Sequence, residues 1–470
     1  MKNMYMKKGI SELLFQERVL EIAARNNIPV GEKLRFLEIF EENLEEYFRI
    51  RKEKKKKTSK KMKRKLREME NRKQEIWWNI LEELKEKQEN ISKEYRQYSR
   101  ENCRQLRACL REKQEYFFEE QTEENWCEDT LNRMEWVMEK DRLLVYPYES
   151  MQPFFSLLEQ AAQADEVEEI AITIYRLAED SELVKILARA VENGKKVTVI
   201  IEVHARYEEE KNQAWARILE RAGCKVCCGR KEQKIHAKVC LITKRNKEEL
   251  QYISHIGTGN YNEDTAKAYT DFSFFTGDES TGKELARFFE EAFKGKIKHS
   301  GKIVWFSPVN LKEQLLQKFE EEIAYAKRGE PAYIGIKVNV LSSKEMIKKL
   351  VEASKAGVEI QLIVRGVCCL KAGIPKLTEN IRVRSLVGRY LEHSRMYLFG
   401  KGERQKIYIS SADLREKCMK GRVEIAVEIE EQECKERLRR MFEDMMQETE
   451  NAWEQQPDGS YHWLGEGKEK

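Results

Sequence analysis

The chain has 470 residues, of which 41% are hydrophobic and 36% charged. Its 87 basic and 83 acidic residues leave a net charge of +4, so no whole-molecule attraction to nucleic acid is expected and any anion site must be local. No apolar run approaches the roughly 20 residues that span a bilayer, and no long apolar stretch opens the chain, which predicts a soluble cytoplasmic protein without a membrane partner. The eleven cysteines read as reduced thiols. Cys224-x-x-Cys227-Cys228 has no second ligand pair at zinc spacing and reads as small buried hydrophobes.

Residues 1–140 read as a helical domain. Apolar spacing predicts helices over 12–24 and 31–49, with Leu34, Leu37, Phe40, Leu44, Tyr47 and Phe48 on one stripe. The run 51–67 holds twelve Lys or Arg and one acid, Glu53; it reads as a solvated helix face, with polyanion binding the alternative. Charged helices follow over 63–120, free of proline and glycine. Trp77, Trp78, Ile80, Leu81 and Leu84 offer them a packing face, and a helical hairpin or coiled coil is expected.

From Asp141 the pattern turns to short strands alternating with helices, the mark of an α/β domain. A first unit over 141–302 has strands predicted at 167–177, 197–203, 236–242, 252–256 and 270–276. A second unit over 303–450 has strands predicted at 333–340, 359–364, 381–386, 395–399, 406–410 and 424–429. Residues 451–470 read as a frayed polar tail.

The two units repeat one another. LVKILARAVENGKKVTVIIEVHAR (183–206) and MIKKLVEASKAGVEIQLIVRGVC (346–368) are each an amphipathic helix, a glycine and an apolar strand that reaches an arginine. Aligned on Gly194 and Gly357, Arg206 follows by 12 residues and Arg365 by 8; His236 and His393 follow by 42 and 36. The strand after each histidine ends in small polar residues, Gly257-Thr-Gly-Asn260 and Ser410-Ser-Ala-Asp413.

A lone histidine before a strand is usually a hydrogen-bonded structural residue. Two at equivalent points of a repeat, each followed two residues on by a cation, Lys238 or Arg395, favour one shared site. Strand alternation puts histidine and cation on the same face. Neutral imidazole, with a pKa near ~6.5, is a competent phosphorus nucleophile at pH 7. Arg176, Arg206 and Arg365 fall at strand ends, where sheet proteins bind ligands, and guanidinium suits bidentate phosphate contacts.

The motifs YPYES (146–150), Tyr175-Arg176, EVHARYEEEKNQAWARILERAG (202–223), KIHAK (234–238), HIGTGNYNEDTAKAYTD (255–271), IVRGVCCL (363–370), RYLEHSR (389–395) and YISSAD (408–413) resemble the polyphosphate kinase family. FQERVL (15–20) and LRFLEIFEENLEEYF (34–48) resemble its N-terminal nucleotide domain, which places the nucleotide-binding part at 11–50. The resemblance implies an α/β fold with a helical N-terminal domain and two phospholipase D-like domains. It implies reversible transfer of the terminal phosphate of ATP to inorganic polyphosphate, with Mg²⁺, through a phosphohistidine. His236 would be the phosphorylated nucleophile and His393 the second catalytic histidine near the nucleotide. Asn43, Tyr269 and Arg365 match nucleotide-contacting positions. Arg176 and Arg206 match positions associated with magnesium and, being cations, would act through metal-bound phosphates; Lys238 and Arg395 would bind phosphate.

Departures are visible: Gln16 replaces an asparagine, Glu42 and Glu45 stand in ENLEEY, and Leu414–Cys418 replaces a Trp-Met-x-Arg-Asn stretch. Charged helices occupy the place of the family's α/β head domain, which leaves the oligomeric state open. Two alternatives are a polyphosphate-binding protein without turnover and a phospholipase D-like phosphodiesterase. The usual HxK-x4-D aspartate of the latter is Thr243 in the first copy and Gly400 in the second.

Overall fold

A computed structural model describes residues 4–53, 58–87, 89, 91–119, 132–205, 208–230 and 233–465. Helices α1 (Lys8–Ala23), α2 (Val30–Glu53), α3 (Lys60–Glu86) and α4 (Arg100–Leu110) build the N-terminal part. Ser59 and Ser99 cap α3 and α4 by accepting the Met62 and Asn102 amides, which satisfies helix-start donors that have no partner in the helix. Leu34, Leu37 and Phe40 of α2 pack with Ile76, Trp77, Leu81 and Leu84 of α3 and Leu106 of α4 in one core. The charged helices are therefore part of one bundle with α1 and α2 rather than a separate hairpin or coiled coil. Trp77 is fully buried, whereas Trp78 is 46% exposed and takes no part in the packing face expected of it. One residue is a 100° step on a helix, so only one of the pair can face the core. Phe48 is likewise 46% exposed while Tyr47 is buried. Part of the basic run lies outside the described residues.

The first α/β unit contributes β1 (Arg142–Tyr146), β2 (Val167–Ile174), β3 (Lys196–Ile201), β4 (Lys225–Cys228), β5 (Lys234–Ile235), β6 (Lys238–Asn246), β7 (Glu249–Gly257) and β8 (Tyr269–Thr276). The second contributes β9 (Val304–Ser307), β10 (Tyr333–Leu341), β11 (Glu359–Cys368), β12 (Ile381–Leu386), β13 (Leu391–Glu392), β14 (Met396–Phe399), β15 (Lys406–Ser410) and β16 (Arg422–Ile429). The first sheet runs β1-β8-β7-β6-β2-β3-β4. The second runs β9-β16-β15-β14-β10-β11-β12, the same order strand for strand. The repeat read from sequence is thus a repeat of topology. Gly194 and Gly357 both have positive φ, +78° and +95°, and end the helix that feeds β3 or β11.

Strand alternation explains how the units join. In β2 and β6, Ile170, Ile172, Cys240 and Ile242 face the first unit's own helices, while Ala171, Val239 and Leu241 face the other way. In β14 and β15, Tyr397, Phe399 and Tyr408 face the second unit's helices, while Met396, Leu398, Ile407 and Ile409 enter that same shared core. The two sheets thus pack on a common apolar layer, and their central strands are buried on both faces.

The expected polar tail is a correction. Two further strands, β17 (Ala452–Gln455) and β18 (Tyr461–Trp463), extend the second sheet beyond β12. Trp453 is fully buried, joins the N-terminal core and donates its indole N–H to Glu21. The segment read as polar because few large apolar residues, Trp453, Tyr461, Trp463 and Leu464, anchor it. Trp453→Ala should cost about 3–5 kcal/mol, the usual loss for an aromatic removed from a core. Urea unfolding checks this, and a change within 0.5 kcal/mol, the scale of surface substitutions, would support the tail instead.

Candidate active site

The histidines sit where the units exchange strands. β5 leaves the first unit and pairs in parallel with β16 of the second, Lys234 beside Arg422 and Ile235 beside Val423. β13 leaves the second unit and pairs in parallel with β8 of the first, Leu391 beside Tyr269 and Glu392 beside Thr270. Each histidine follows its exchanged strand at once. The His236 and Ala237 amides both donate to the Val423 carbonyl, at 2.8 and 2.9 Å, and the Ser394 amide donates to the Thr270 carbonyl at 2.7 Å. The histidines therefore occupy the break between a crossing strand and the strand of their own unit that follows, β6 or β14, not the first position of a continuous strand. The cations fold back: Lys238 Nζ donates to the His236 carbonyl and Arg395 Nη1 to the His393 carbonyl.

Each imidazole is held by a carboxylate from the other unit. His236 Nδ1 lies 2.7 Å from Glu424 Oε2, and His393 Nδ1 lies 2.9 Å from both oxygens of Asp271. Glu424 also accepts from Ser411 Oγ at 2.7 Å, and Asp271 from Thr258 Oγ1 at 2.6 Å. A carboxylate only accepts, so Nδ1 carries the proton in both rings and Nε2 keeps its lone pair. These two acids were not assigned from sequence. A signal was present: each stands thirteen residues after the hydroxyl that binds it, at the head of an apolar strand.

The two Nε2 atoms differ. Among the described residues His236 Nε2 has no hydrogen-bond partner, whereas His393 Nε2 accepts from Arg395 Nη1 at 3.2 Å. Burial holds His236 well below the ordinary imidazole value, and the charges of Lys238, Arg422, Arg395 and His393 push the same way. Burial also lowers His393, to about 4, against the pull of Asp271. Lys238 falls to about 7 through burial, and its ammonium lies 5.0 Å from the Tyr175 ring. The Tyr175 ring stands edge-on to His236 at 5.0 Å. The result is a neutral imidazole among cations.

Of the other residues read from sequence, Tyr269 lies against His393, with ring centroids 5.5 Å apart. Arg365 Nη1 donates to the Glu392 carbonyl at 3.0 Å, while its buried Nε has no partner. Arg176 sits beside Tyr175, 3.8 Å from Glu208. Arg206 lies outside the described residues. Asn43 is half-buried on α2, and no hydrogen bond or ion pair among the described residues ties it to the histidines. Sequence reasoning also passed over Lys337, which is buried, 2.9 Å from Glu392 Oε2 and 2.6 Å from Ser394 Oγ.

Strand register corrects one pairing of the repeat. Ile172 lies beside Val199 and Ile336 beside Leu362. Counting along β3 and β11 from these pairs, the partner of Arg365 is Glu202, not Arg206. The two do the same work with opposite chemistry. Glu202 Oε2 accepts the amide of Ile235, the residue before His236, at 2.7 Å. Arg365 donates to the carbonyl of Glu392, the residue before His393.

A duplicated α/β core that shares one histidine pair between its two units defines the class. Family models of the polyphosphate kinase N-terminal domain, C-terminal domain 1 and C-terminal domain 2 match residues 5–114, 132–298 and 304–470. The chain belongs to the polyphosphate kinase family. It is 42% identical over 330 residues to a polyphosphate kinase of Bacillus cereus, covering 70% of this chain and 47% of that protein. It is 41% identical over 322 residues to polyphosphate kinase 1 of Chlorobaculum tepidum, covering 68% and 46%. The chain thus spans about half the length of the curated relatives it matches. The crystal structure of polyphosphate kinase from Porphyromonas gingivalis shares its fold, with a TM-score of 0.84, 24% identity, and coverage of 99% of this chain and 97% of that one. Only residues 115–131 separate the first two matched segments, too few for an inserted domain, which takes about 50 residues or more.

Burial of the histidines has a pH consequence. His393 stands at about 4 and His255, bonded to Tyr261 and Ser273, at about 3, against about 6.5 for a solvated imidazole. Their folded values are depressed, so below pH ~6.5 the unfolded chain binds more protons. Stability is full above that pH and falls as pH drops toward 4. His393→Asn should shallow the slope by up to about 1.4 kcal/mol per pH unit. Urea midpoints between pH 7 and 4.5 check this; an unchanged slope contradicts a buried neutral His393.

Proposed function

We propose that this chain transfers the terminal phosphate of ATP, reversibly, to inorganic polyphosphate through a phosphohistidine at His236. The asymmetry of the two Nε2 atoms carries the reading: among the described residues that of His236 has no hydrogen-bond partner, while that of His393 accepts from Arg395. The His236 Nε2 lone pair attacks the γ-phosphorus, the bond from that phosphorus to the β–γ bridging oxygen breaks, and ADP leaves with the electron pair. Glu424 at Nδ1–H stabilises the positive ring that results. A terminal oxygen of polyphosphate then attacks the phosphorus, the P–N bond breaks, and the chain grows by one phosphate. The second histidine, with Asp271 behind it and Arg395 before it, faces the nucleotide phosphates together with Arg365 and Tyr269. Lys238 and Arg395 offset charge on the transferring oxygens. An arriving phosphate raises the Lys238 pKa and keeps that cation protonated.

Among the described residues no group of three or more His, Cys, Asp or Glu side chains converges to hold a metal ion. The protein donors present do not fit a resident Mg²⁺, which would enter bound to the nucleotide's phosphate oxygens. Arg176 and Arg206 are read as contacts to those phosphates. No helix among the described residues is long and apolar enough to cross a membrane. All ten described cysteines are free, which supports a reducing, cytoplasmic location.

With γ-labelled ATP and Mg²⁺, the protein should carry acid-labile label and make polymer. His236→Ala should abolish the label. His393→Ala should slow it about 100-fold or more, the scale of losing a positioned acid or base. Label that survives His236→Ala would refute the reading, and label without polymer would leave a phosphoenzyme that does not turn over.

A further inference from the structure

We propose that Glu202 is a positioning residue that sets the phosphoryl-accepting His236, by locking its exchanged strand to the turn that leads to Arg206. This rests on the reading of His236 as the phosphorylated residue. Glu202 directly follows β3 and is fully buried. Its two oxygens serve two different segments. Oε1 accepts the His204 amide at 2.8 Å, and Oε2 accepts the Ile235 amide at 2.7 Å. Lys234 Nζ donates to the His204 carbonyl, which closes a ring between the two segments. Asn212 Nδ2 donates to the carbonyls of both Glu202 and Tyr175, each at 2.9 Å, and so ties the lock to the ring that flanks His236.

Burying a carboxylate is costly, and burial raises the pKa of this one. Two backbone amides are its direct partners, with Lys234 as a nearby charge. A neutral acceptor would cost less if stability alone were at stake. What a two-oxygen side chain adds is geometry: it fixes the distance between the strand before His236 and the turn at His204. Room for it is reserved by Gly229, where a Cβ atom would stand 2.7 Å from Oε2. In the second unit the register partner Arg365 anchors the residue before His393 from the carbonyl side. Anchoring the residue before each histidine is thus a shared feature of both units. In the first unit it leaves no cation at that place, consistent with the covalent role of His236.

The test uses the full chain with γ-labelled ATP and Mg²⁺ in rapid-quench mode, with ATP affinity and thermal midpoint measured in parallel. Glu202→Ala should slow labelling of His236 about 100-fold, the cost of roughly 1 Å of misplacement. ATP affinity should fall far less than the labelling rate, because His393, Arg365 and Tyr269 are untouched and only the turn before Arg206 loses an anchor. Glu202→Gln keeps one acceptor and should recover part of the rate. Gly229→Ala, which crowds Oε2 without altering any group of the site, should also slow labelling. The proposal is overturned by a wild-type labelling rate in Glu202→Ala, or by a rate loss that tracks ATP affinity or the thermal midpoint across the three variants. His236→Ala in the same experiment separates the two claims. If it abolishes label while Glu202→Ala does not slow it, the lock fails and the phosphohistidine stands. If label persists in His236→Ala, the function itself fails.

Discussion

Everything at this site depends on two imidazole–carboxylate bonds that cross between the units. Glu424 belongs to the second unit and orients the histidine of the first; Asp271 belongs to the first and orients the histidine of the second. Neither unit alone holds a correctly protonated ring. The crossing is made by backbone, since β5 and β13 each add to the other unit's sheet one residue before the histidine. Beneath them the two sheets share an apolar core, which keeps the site dry and makes each bond stronger than it would be in water.

On that symmetric frame the side chains diverge. Lys238 faces Arg395 across the repeat, and strand register sets Thr173 against Lys337 and Glu202 against Arg365. Among the described residues the first unit leaves the Nε2 of its histidine without a hydrogen-bond partner. The second covers its Nε2 with a guanidinium and adds a buried lysine beneath Glu392. A shared backbone with one open and one covered nitrogen suits a covalent step on one side and charge management on the other.

The N-terminal bundle is tied to the same frame. Ser11 exchanges hydrogen bonds with Cys368 at the end of β11, each 2.9 Å. Buried Arg18 donates to the Gly366 carbonyl at 3.1 Å and stacks on Tyr461, 3.9 Å from its ring centre. The strand that presents Arg365 is thus gripped by α1 and by the C-terminal hairpin together. Asn43 lies farther along the bundle on α2, on the helix after the one that makes this grip.

Local pattern made much of this protein legible. The 3.6 and 2.0 periodicities, two capping glycines and a recurring order of motifs showed a helical domain, a duplicated α/β unit and a pair of histidines, because each of those signals is written along one continuous stretch of chain. Other features failed for a common reason. Trp78 could not be told from Trp77, nor the hairpin at Trp453 from a tail, since burial is set by what packs from elsewhere in the chain. Arg206 was matched to Arg365 because charge recurs in the text, whereas strand register places Glu202 there. The carboxylates behind the histidines stand 188 and 122 positions away from them. The sequence by itself determined which side chains exist and which backbone each unit makes. Only the tertiary structure decided which acid meets which histidine, because that pairing is made by strands that cross into the other unit's sheet, and no local period records a crossing.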